Sequence, residues 1–417
     1  MARIVVSGYM IRYPMAGVLL AYLHYLVGLA RLGHEVLYFE ESGWADACYD
    51  PRSGLNTDDP TPGLIATRAA LAATGVRVPV CYLDRVSGAT DGDLLTTLPQ
   101  ADLWLDLGGV CWHPILRRIR HRALVDMDPF FTQIGRFAAE SLAEHHTCFT
   151  YGTNVGRREC LIPTGGRAWH PTVPPVVLDL WPYGQEPDAI AAFTTVASWS
   201  AYGALEYDGE RYGQKDVEFE RVLDLPGRTS TPLEMALAGA GRSVRARLRE
   251  AGWRLRDAHE VSLTLEAYRA YIIGSLGEFS VAKEAYVKTR SGWFSDRSVC
   301  YLAAGRPAVV QDTGLRPWLK TDRGVLTFST VDEAAAALDS IRRDYARHSK
   351  AARSLARGVF GHDVVLPRLI ERALEHEPHI AVPALPWARP TPGRTPHEGE
   401  PQARSNRTTR SFCKRRR

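Results

Sequence analysis

The chain has 417 residues, of which 45% are hydrophobic and 24% charged, a composition typical of globular proteins and unlike that of mainly disordered chains. One hydrophobic core rarely grows to this size, so we expect two domains. The net charge of the chain is +4, but residues 381–417 alone carry +7, so residues 1–380 carry −3. This mildly acidic body argues against a nucleic-acid-binding core.

The first forty residues predict a β-loop-α-β unit. Ile4–Ser7 is typical of a buried parallel strand, Val18–Leu32 of a helix that ends at Gly33, and Glu35–Glu40 of the next strand. No small-residue cleavage site follows the first apolar run, so it does not indicate a signal peptide. The longest apolar stretch, 17–30, is shorter than the roughly 20 residues of a membrane span.

Strands and helices continue to alternate up to residue 150. The predicted strands are Val76–Tyr82, Ala101–Leu107, Ala123–Met127 and Thr147–Thr150, and the predicted helices are Ile65–Ala73 and Pro114–His121. Acidic residues and glycines follow several strand ends, where ligands bind in open α/β sheets. Asp128 follows one of these strands and is a candidate catalytic base; the alternative is an Asp-Pro turn whose carboxylate bonds its own backbone.

A proline-rich segment divides the chain. Residues 163–187 contain six prolines and three glycines, which predicts a linker without a strand or helix. We therefore predict an N-terminal domain over 1–185 and a C-terminal domain over 186–380. Residues 381–417 are rich in Pro, Arg and Thr and are predicted to form a disordered basic tail.

The second domain repeats the alternation. Its predicted strands are 190–197, 234–238 and 307–311, and its predicted helices are 216–223, 243–251, 264–274, 295–304, 331–345, 349–358 and 364–375. The predicted fold class is α/β, with two Rossmann-like, doubly wound lobes and a cleft between them. A G-x-G-x-x-G fingerprint for nicotinamide or flavin is absent from the sequence.

The spacing of the cysteines and histidines predicts where in the cell the protein is located and whether it binds a metal. The seven cysteines are scattered without C-x-x-C spacing, which predicts free thiols and a reducing, cytoplasmic location. The histidines do not cluster with the cysteines at ligand spacing, so we expect no metal site.

A loop that leads directly into a helix is the strongest candidate for an anion site. Ser291–Asp296 precedes an apolar-faced helix, and a helix N-terminus offers unpaired N–H groups and partial positive charge to a diphosphate. Gly292 permits close approach of the backbone, and Ser295 is a suitable cap. The following strand ends at Asp312.

Three charged residues near this loop are also interpreted from their positions. Lys215 lies just before the predicted helix 216–223, where the helix dipole disfavours a cation and so indicates an anionic partner; the alternative is a solvated lysine. Lys283 and Glu278 are expected to form a structural ion pair.

The motifs Ser291–Arg297, Ala303–Pro307 and Asp312–Gly314 resemble the C-terminal domain of GT-B-fold glycosyltransferases, in particular a bacterial family 1/family 4-like group. The resemblance extends more weakly over residues 1–375. It implies transfer of a sugar from a nucleoside diphosphate sugar to an acceptor hydroxyl, without a metal or other cofactor. It names no acceptor and no oligomeric state.

The resemblance also implies roles for individual residues. The amides of 291–295 would hold the donor phosphates, Lys215 and Arg297 would pair with them, and Asp312 would lie near the sugar or ribose. Many retaining members carry two glutamates eight residues apart, but Gly292 and Cys300 occupy those positions here. Asp296 is a candidate replacement.

The loop 8–17 contains no histidine of the kind that inverting members often place there. The sequence therefore favours neither retention nor inversion. Two alternatives stay open: a non-catalytic protein of this fold that binds sugar nucleotides, and a sugar-nucleotide epimerase on the same fold.

Overall fold

The structure, a computed structural model, describes residues 1–375 except 89, 93–94, 136–138, 185–186, 188–190 and 201–202. Two largely parallel sheets form the centres of two α/β lobes, which confirms the predicted fold class. The predicted disordered tail, 381–417, lies outside the described residues, as does Cys413. The described cysteines are all free thiols, as their spacing predicts.

In its described residues, the first lobe contains one eight-stranded sheet, a small hairpin and three α-helices. Its elements are β1 (Arg3–Ser7), α1 (Ala16–Arg31), β2 (Glu35–Ser42), β3 (Cys48–Asp50), β4 (Leu55–Thr57), α2 (Thr61–Ala72), β5 (Val80–Asp84), β6 (Thr90–Asp91), β7 (Leu103–Leu107), β8 (His121–Asp126), α3 (Ala139–Glu144), β9 (Thr147–Thr150) and β10 (Trp169–Pro171). The strand order is β10-β9-β8-β7-β1-β2-β5-β6, and only the short β6 runs antiparallel to its neighbour.

The second lobe has a six-stranded, fully parallel sheet in the order β15-β14-β11-β16-β17-β18. Its elements are β11 (Phe193–Ser198), β12 (Leu205–Tyr207), β13 (Glu210–Tyr212), α4 (Lys215–Glu220), β14 (Leu233–Ala238), α5 (Arg242–Glu250), β15 (Arg254–Asp257), α6 (Ala258–Ser262), α7 (Leu265–Gly274), β16 (Gly277–Ser280), α8 (Glu284–Lys288), α9 (Asp296–Ala303), β17 (Ala308–Gln311), β18 (Val325–Phe328), α10 (Val331–Arg343), α11 (Tyr345–Gly358) and α12 (His362–Glu375).

Both sheets follow the same winding rule. Numbered within its own lobe, the second sheet has the order 3-2-1-4-5-6, and the parallel strands of the first sheet, which exclude β6, have the order 3-2-1-4-5-6-7. In both sheets the first strand is internal, and the direction of winding reverses beside it. In such sheets the ligand crevice opens at the carboxyl ends of the first and fourth strands, where the connections diverge. The crevice of the first lobe is therefore between β1 and β7, and that of the second lobe between β11 and β16.

The proline-rich segment is more ordered than its composition predicts. The prediction that 163–187 holds no element is wrong, because Trp169–Pro171 forms β10, parallel to β9. Val176 then bridges to Gly361, so the segment pairs with the chain just before α12. The backbone pairing of β10 with β9 and of Val176 with Gly361 overrides the weak strand propensity of a proline-rich sequence.

The last helix packs against the first lobe. A side chain on Gly28 of α1 would meet Leu366 at 2.6 Å and His362 at 2.9 Å, both of them in α12. The glycine therefore allows the two helices to approach closely. The chain thus returns to the first lobe after the second sheet is complete.

Three strands of the second sheet were missing from the predicted elements. β18 is short and only half buried, and β15 has the sequence RLRD, whose charges conceal an edge strand that is largely exposed. β16 is central and fully buried, yet it contains Glu278. A charged residue in a central strand contradicts the apolar pattern expected of buried strands, unless that charge is paired inside the lobe.

Candidate functional site

The candidate site lies where the second lobe's crevice opens toward the first lobe. Helices α4, α8 and α9 begin near the carboxyl ends of β11 and β16, and loops of the first lobe contact α8 and the turn before α9. The structure places most of the residues singled out in the sequence around these three helix starts.

The start of α9 forms as the sequence predicts. The Ser295 hydroxyl accepts a hydrogen bond from the backbone N–H of Arg297 at 3.2 Å, and Asp296 Oδ1 accepts from the same N–H at 2.8 Å. Among the described residues, no acceptor binds the amides of Phe294, Ser295 or Asp296. Three backbone donors and the positive end of the helix dipole are therefore available to an anion.

The first half of the predicted phosphate loop has no such freedom. The Ser291 amide donates to the Tyr286 carbonyl at 3.1 Å, and the Gly292 amide donates to the Thr313 carbonyl at 2.7 Å. The Ser291 hydroxyl accepts from the Trp293 amide at 3.2 Å. These bonds fix a turn in which Gly292 has a φ of +74°, a conformation that favours glycine.

Side chains of the first lobe seal this turn. Thr153 Oγ1 donates to the Gly292 carbonyl at 3.0 Å, and Asn154 Nδ2 donates to the carbonyls of Gly314 at 2.8 Å and Arg290 at 3.0 Å. A Cβ atom on Gly292 would lie 2.4 Å from Thr153 Oγ1. Gly292 therefore allows the two lobes to dock, whereas the free amides begin two residues later.

Arg297 closes the crevice between β11 and β16. Its Nε is 2.7 Å from Glu278 Oε1, Nη1 donates to the Val196 carbonyl at 2.8 Å, and Nη2 donates to Ser280 Oγ at 2.6 Å. Burial opposes its charge, but the neighbouring Glu278 carboxylate outweighs that effect and raises the pKa. The expected pair of Glu278 with Lys283 is wrong, because Arg297 is the closer cation inside the lobe.

Lys215 is a cation without a partner in the part of the chain that the structure describes. No described residue accepts a hydrogen bond from its ammonium group or forms an ion pair with it, although the side chain is partly buried. Burial, together with the positive charges of Arg297 and Lys283, lowers its pKa to about 7. A bound anion would relieve both effects by supplying the opposite charge.

Asp128 is held by the second lobe. Lys283 Nζ lies 2.7 and 2.8 Å from its two carboxylate oxygens, and the Tyr286 hydroxyl donates to Oδ1. Its own amide donates to Asp126 Oδ1 at 3.0 Å, which fixes the turn after β8. The alternative interpretation, a carboxylate bonded to its own backbone turn, fits Asp126 better than Asp128.

Asp296 and Asp128 both act on Tyr9, which lies in the loop after β1. Burial and the negative charges of these two aspartates raise the pKa of Tyr9 to about 12. Asp296 also lines a narrow cavity between α1 and α9, with Tyr151, Tyr268 and others. The strand-end loops of both lobes therefore meet at one cleft.

Asp312 lies one strand beyond the crevice. Its Oδ1 accepts from the amides of Gly314 at 2.9 Å and Leu315 at 3.1 Å, so the carboxylate closes the turn after β17. It borders a separate, wider cavity with Arg316 and Glu333 beside β18 and α10. A contact with the sugar or ribose stays a prediction for this residue.

Two features are absent from the described part of the chain. No helix there is both long enough and apolar enough to cross a membrane. No group of three or more His, Cys, Asp or Glu side chains is arranged there to hold a metal ion.

The fold has many counterparts among solved structures. AviGT4, a glycosyltransferase involved in avilamycin A biosynthesis, matches with a TM-score of 0.53 and 14% identity, over 89% of this chain and 97% of its own. An α-glucosyltransferase in complex with UDP and DNA matches with a TM-score of 0.54 and 9% identity, over 89% of this chain and 99% of its own. HepE of Anabaena in complex with UDP-glucose matches with a TM-score of 0.53 and 11% identity, over 89% of this chain and 99% of its own. The chain therefore has the two-lobed GT-B fold that the sequence predicts.

Comparisons at the level of sequence add nothing to this result. No protein-family model matches the chain, and no curated protein matches it.

Sequence reasoning assigned Lys283 to a structural pair within its own lobe and gave Asn154 no role. Lys283 follows the carboxyl end of β16, so the rule that selected Asp128 would also have selected Lys283. It was missed because β16 itself was not predicted. Asn154 gave no local signal, since its partners Arg290 and Gly314 are far away in sequence.

Proposed function

We propose that the protein is a glycosyltransferase that moves a sugar from a nucleoside diphosphate sugar to an acceptor hydroxyl. The second lobe binds the donor and the first lobe presents the acceptor. The structures of similar fold include one with UDP and one with UDP-glucose, which supports a nucleotide sugar as the donor.

The observation that carries this proposal is an unpaired lysine beside unpaired amides. Lys215 has no partner among the described residues, and the amides of Phe294, Ser295 and Asp296 are free at the start of α9. Gln214, next to Lys215, is 2% exposed, and neither polar atom of its side chain finds a partner in the described chain. Buried polar groups are normally satisfied, so this set of donors is suited to bind an anionic ligand.

The arrangement suits the charge that develops during transfer. As the sugar leaves, negative charge grows on the diphosphate oxygen, and amides and a cation placed there stabilise it more in the transition state than in the ground state. Asp128, across the cleft, is the proposed base for the acceptor hydroxyl. Closure of the lobes excludes water that would hydrolyse the donor.

The first experiment is a thermal-shift and calorimetry panel of UDP, GDP, ADP and dTDP and their glucose conjugates. We expect at least one to bind the wild type, and Lys215→Ala to abolish its stabilising effect. Lys350→Ala is the control, because Lys350 is an exposed lysine on α11. If none of these compounds binds the wild-type protein, the proposal is wrong.

A second measurement separates the enzyme from its alternatives. Product that forms only with an added acceptor supports transfer, and product that forms without an acceptor supports an epimerase. Binding without any turnover supports the non-catalytic alternative. We further propose that the reaction needs no metal, which predicts equal rates with and without EDTA, and that the protein is cytoplasmic.

A further inference from the structure

The ion pair between Asp128 and Lys283 joins the two lobes beside the proposed donor site. The two oxygen–nitrogen distances are 2.7 and 2.8 Å, and the side chains are only 28% and 14% exposed. Lys283 Nζ also lies 4.7 Å from the ring centroid of Phe131 and 5.3 Å from that of Tyr286. This is a sheltered pair, in which charge interactions are stronger than at an open surface.

Lys283 also faces the donor side of the cleft. It precedes α8 and follows the carboxyl end of β16, one of the two strands between which the crevice opens. Its charge is close enough to that of Lys215 to disfavour the protonated form of Lys215. Two ammonium groups therefore lie at the crevice, and only Lys283 has a carboxylate partner.

We propose that Lys283 is a second donor-binding lysine, and that the diphosphate competes with Asp128 for its ammonium group. The inference rests on the proposed function. A diphosphate carries more negative charge than one carboxylate and is placed between two lysines, so it draws Lys283 away from Asp128. Entry of the donor then frees the lone pairs of Asp128 to accept a hydrogen bond from the acceptor hydroxyl.

Asp128 stays in place when the lysine leaves, because other contacts hold it. The Tyr286 hydroxyl donates to Oδ1, and the Asp128 amide donates to Asp126. The carboxylate is therefore positioned before and after the exchange. This competition links the availability of the proposed base to occupancy of the donor site.

The test is the dissociation constant of UDP, measured by calorimetry on the full chain. Removing a competitor tightens binding, so we expect Asp128→Asn to lower the Kd several-fold. Lys283→Gln removes the shared cation and raises the Kd about tenfold. In the Lys283→Gln background, Asp128→Asn has no further effect, because the competition no longer exists.

A matched control pair involves α8, the helix that follows Lys283. Glu210 pairs with Lys288 at the far end of α8, and both side chains are more exposed than those of the interlobe pair. Glu210→Gln therefore leaves the Kd of UDP unchanged. Asp128→Ser is a second variant without the carboxylate, for use if the asparagine variant does not fold, and its expected effect has the same sign.

The outcomes separate the two proposals. If neither UDP nor the other nucleoside diphosphates bind the wild type, the proposed function fails and this inference fails with it. If UDP binds the wild type and both Asp128 variants bind it equally or more weakly, the competition is refuted and the proposed function stands. The competition is also refuted if Asp128→Asn tightens binding equally with and without Lys283.

Discussion

The two sheets wind in the same way on either side of their first strand, yet their crevices differ in how the charged groups beside them are paired. In the first lobe, Glu40 accepts from the amides of Ile11 at 2.7 Å and Arg12 at 2.6 Å, from Arg12 Nε at 3.1 Å, and from the Tyr38 hydroxyl at 2.6 Å. These bonds use the amides of Ile11 and Arg12 and pair the buried arginine of this loop with a carboxylate. The topology thus gives both lobes a crevice, and the pairing of the charged groups beside it determines whether a cation remains for a ligand.

The second lobe contains a comparable buried pair but has donors in excess. Glu278 and Arg297 neutralise each other, as Glu40 and Arg12 do in the first lobe. Lys215 and the first amides of α9 come in addition and have no partner among the described residues. The comparison indicates that a ligand site contains polar groups that form no hydrogen bond or ion pair within the folded chain.

The largest expected effect concerns the two buried pairs. Arg297→Met and Arg12→Met each leave a buried carboxylate without its cation, and each should lower the free energy of unfolding by about 3–5 kcal/mol. Urea denaturation measures this. Arg221→Met is the control, since its pair with Glu218 involves a 59% exposed arginine and should change stability by less than about 1 kcal/mol. A stable Arg297→Met protein that loses only nucleotide binding would show that Arg297 is a phosphate ligand and not a structural residue.

A smaller effect is expected where the lobes dock. Gly292→Ala introduces a Cβ against Thr153 at a φ of +74°, and should cost about 1–3 kcal/mol of unfolding free energy. Gly274→Ala is the control, because nothing lies within 4 Å of its Cβ position at the end of α7. Differential scanning calorimetry distinguishes them. An equal melting temperature for both variants would mean that the lobes do not meet at Gly292.

Lys215→Met should separate binding from stability. Losing a charged donor raises the Kd of the bound nucleotide about 10–100-fold. Stability should stay equal or rise, because a partly buried, unpaired cation is removed. Lys350→Met, measured beside it, should change neither quantity. A fall in melting temperature with unchanged nucleotide affinity would identify Lys215 as structural.

The smallest expected effect is a pH dependence. The pKa of Lys215 is lowered to about 7, so the free protein loses this charge as the pH rises above 7. Binding of a diphosphate then requires uptake of a proton, and the Kd should rise by up to about tenfold per pH unit. Lys215→Arg keeps its charge throughout and should flatten the profile between pH 7 and 9. A wild-type profile as flat as that of the arginine variant contradicts the prediction.

Much of the fold was predictable because its signals are local. Short windows of sequence contain apolar runs of strand length and the residues that bound helices, such as Ser295 and Gly33. These signals predict alternating α/β lobes. The elements that were missed depend on distant partners. Glu278 makes β16 seem unsuitable for a sheet interior until Arg297 neutralises it, and β10 is ordered only by its pairing with β9.

The site was predictable in outline, and less so in its pairing. The strand-end rule and the helix dipole led to Asp128, Lys215 and the start of α9. Neither rule indicates which cation pairs with which carboxylate, because that depends on side-chain reach across 150 or more residues, as between Lys283 and Asp128. For the same reason the loop at Ser291 seemed open in the sequence and is closed by the first lobe in the structure.

The return of α12 to α1 has a consequence for synthesis. While the chain is still being made, the first lobe exists without the helix that covers Gly28, so an apolar face of α1 is uncovered until the ribosome has released residue 375. The amino-terminal half is thus the part most in need of chaperone protection. It completes its core only when the last helix arrives, so the two halves are expected to fold poorly as separate fragments.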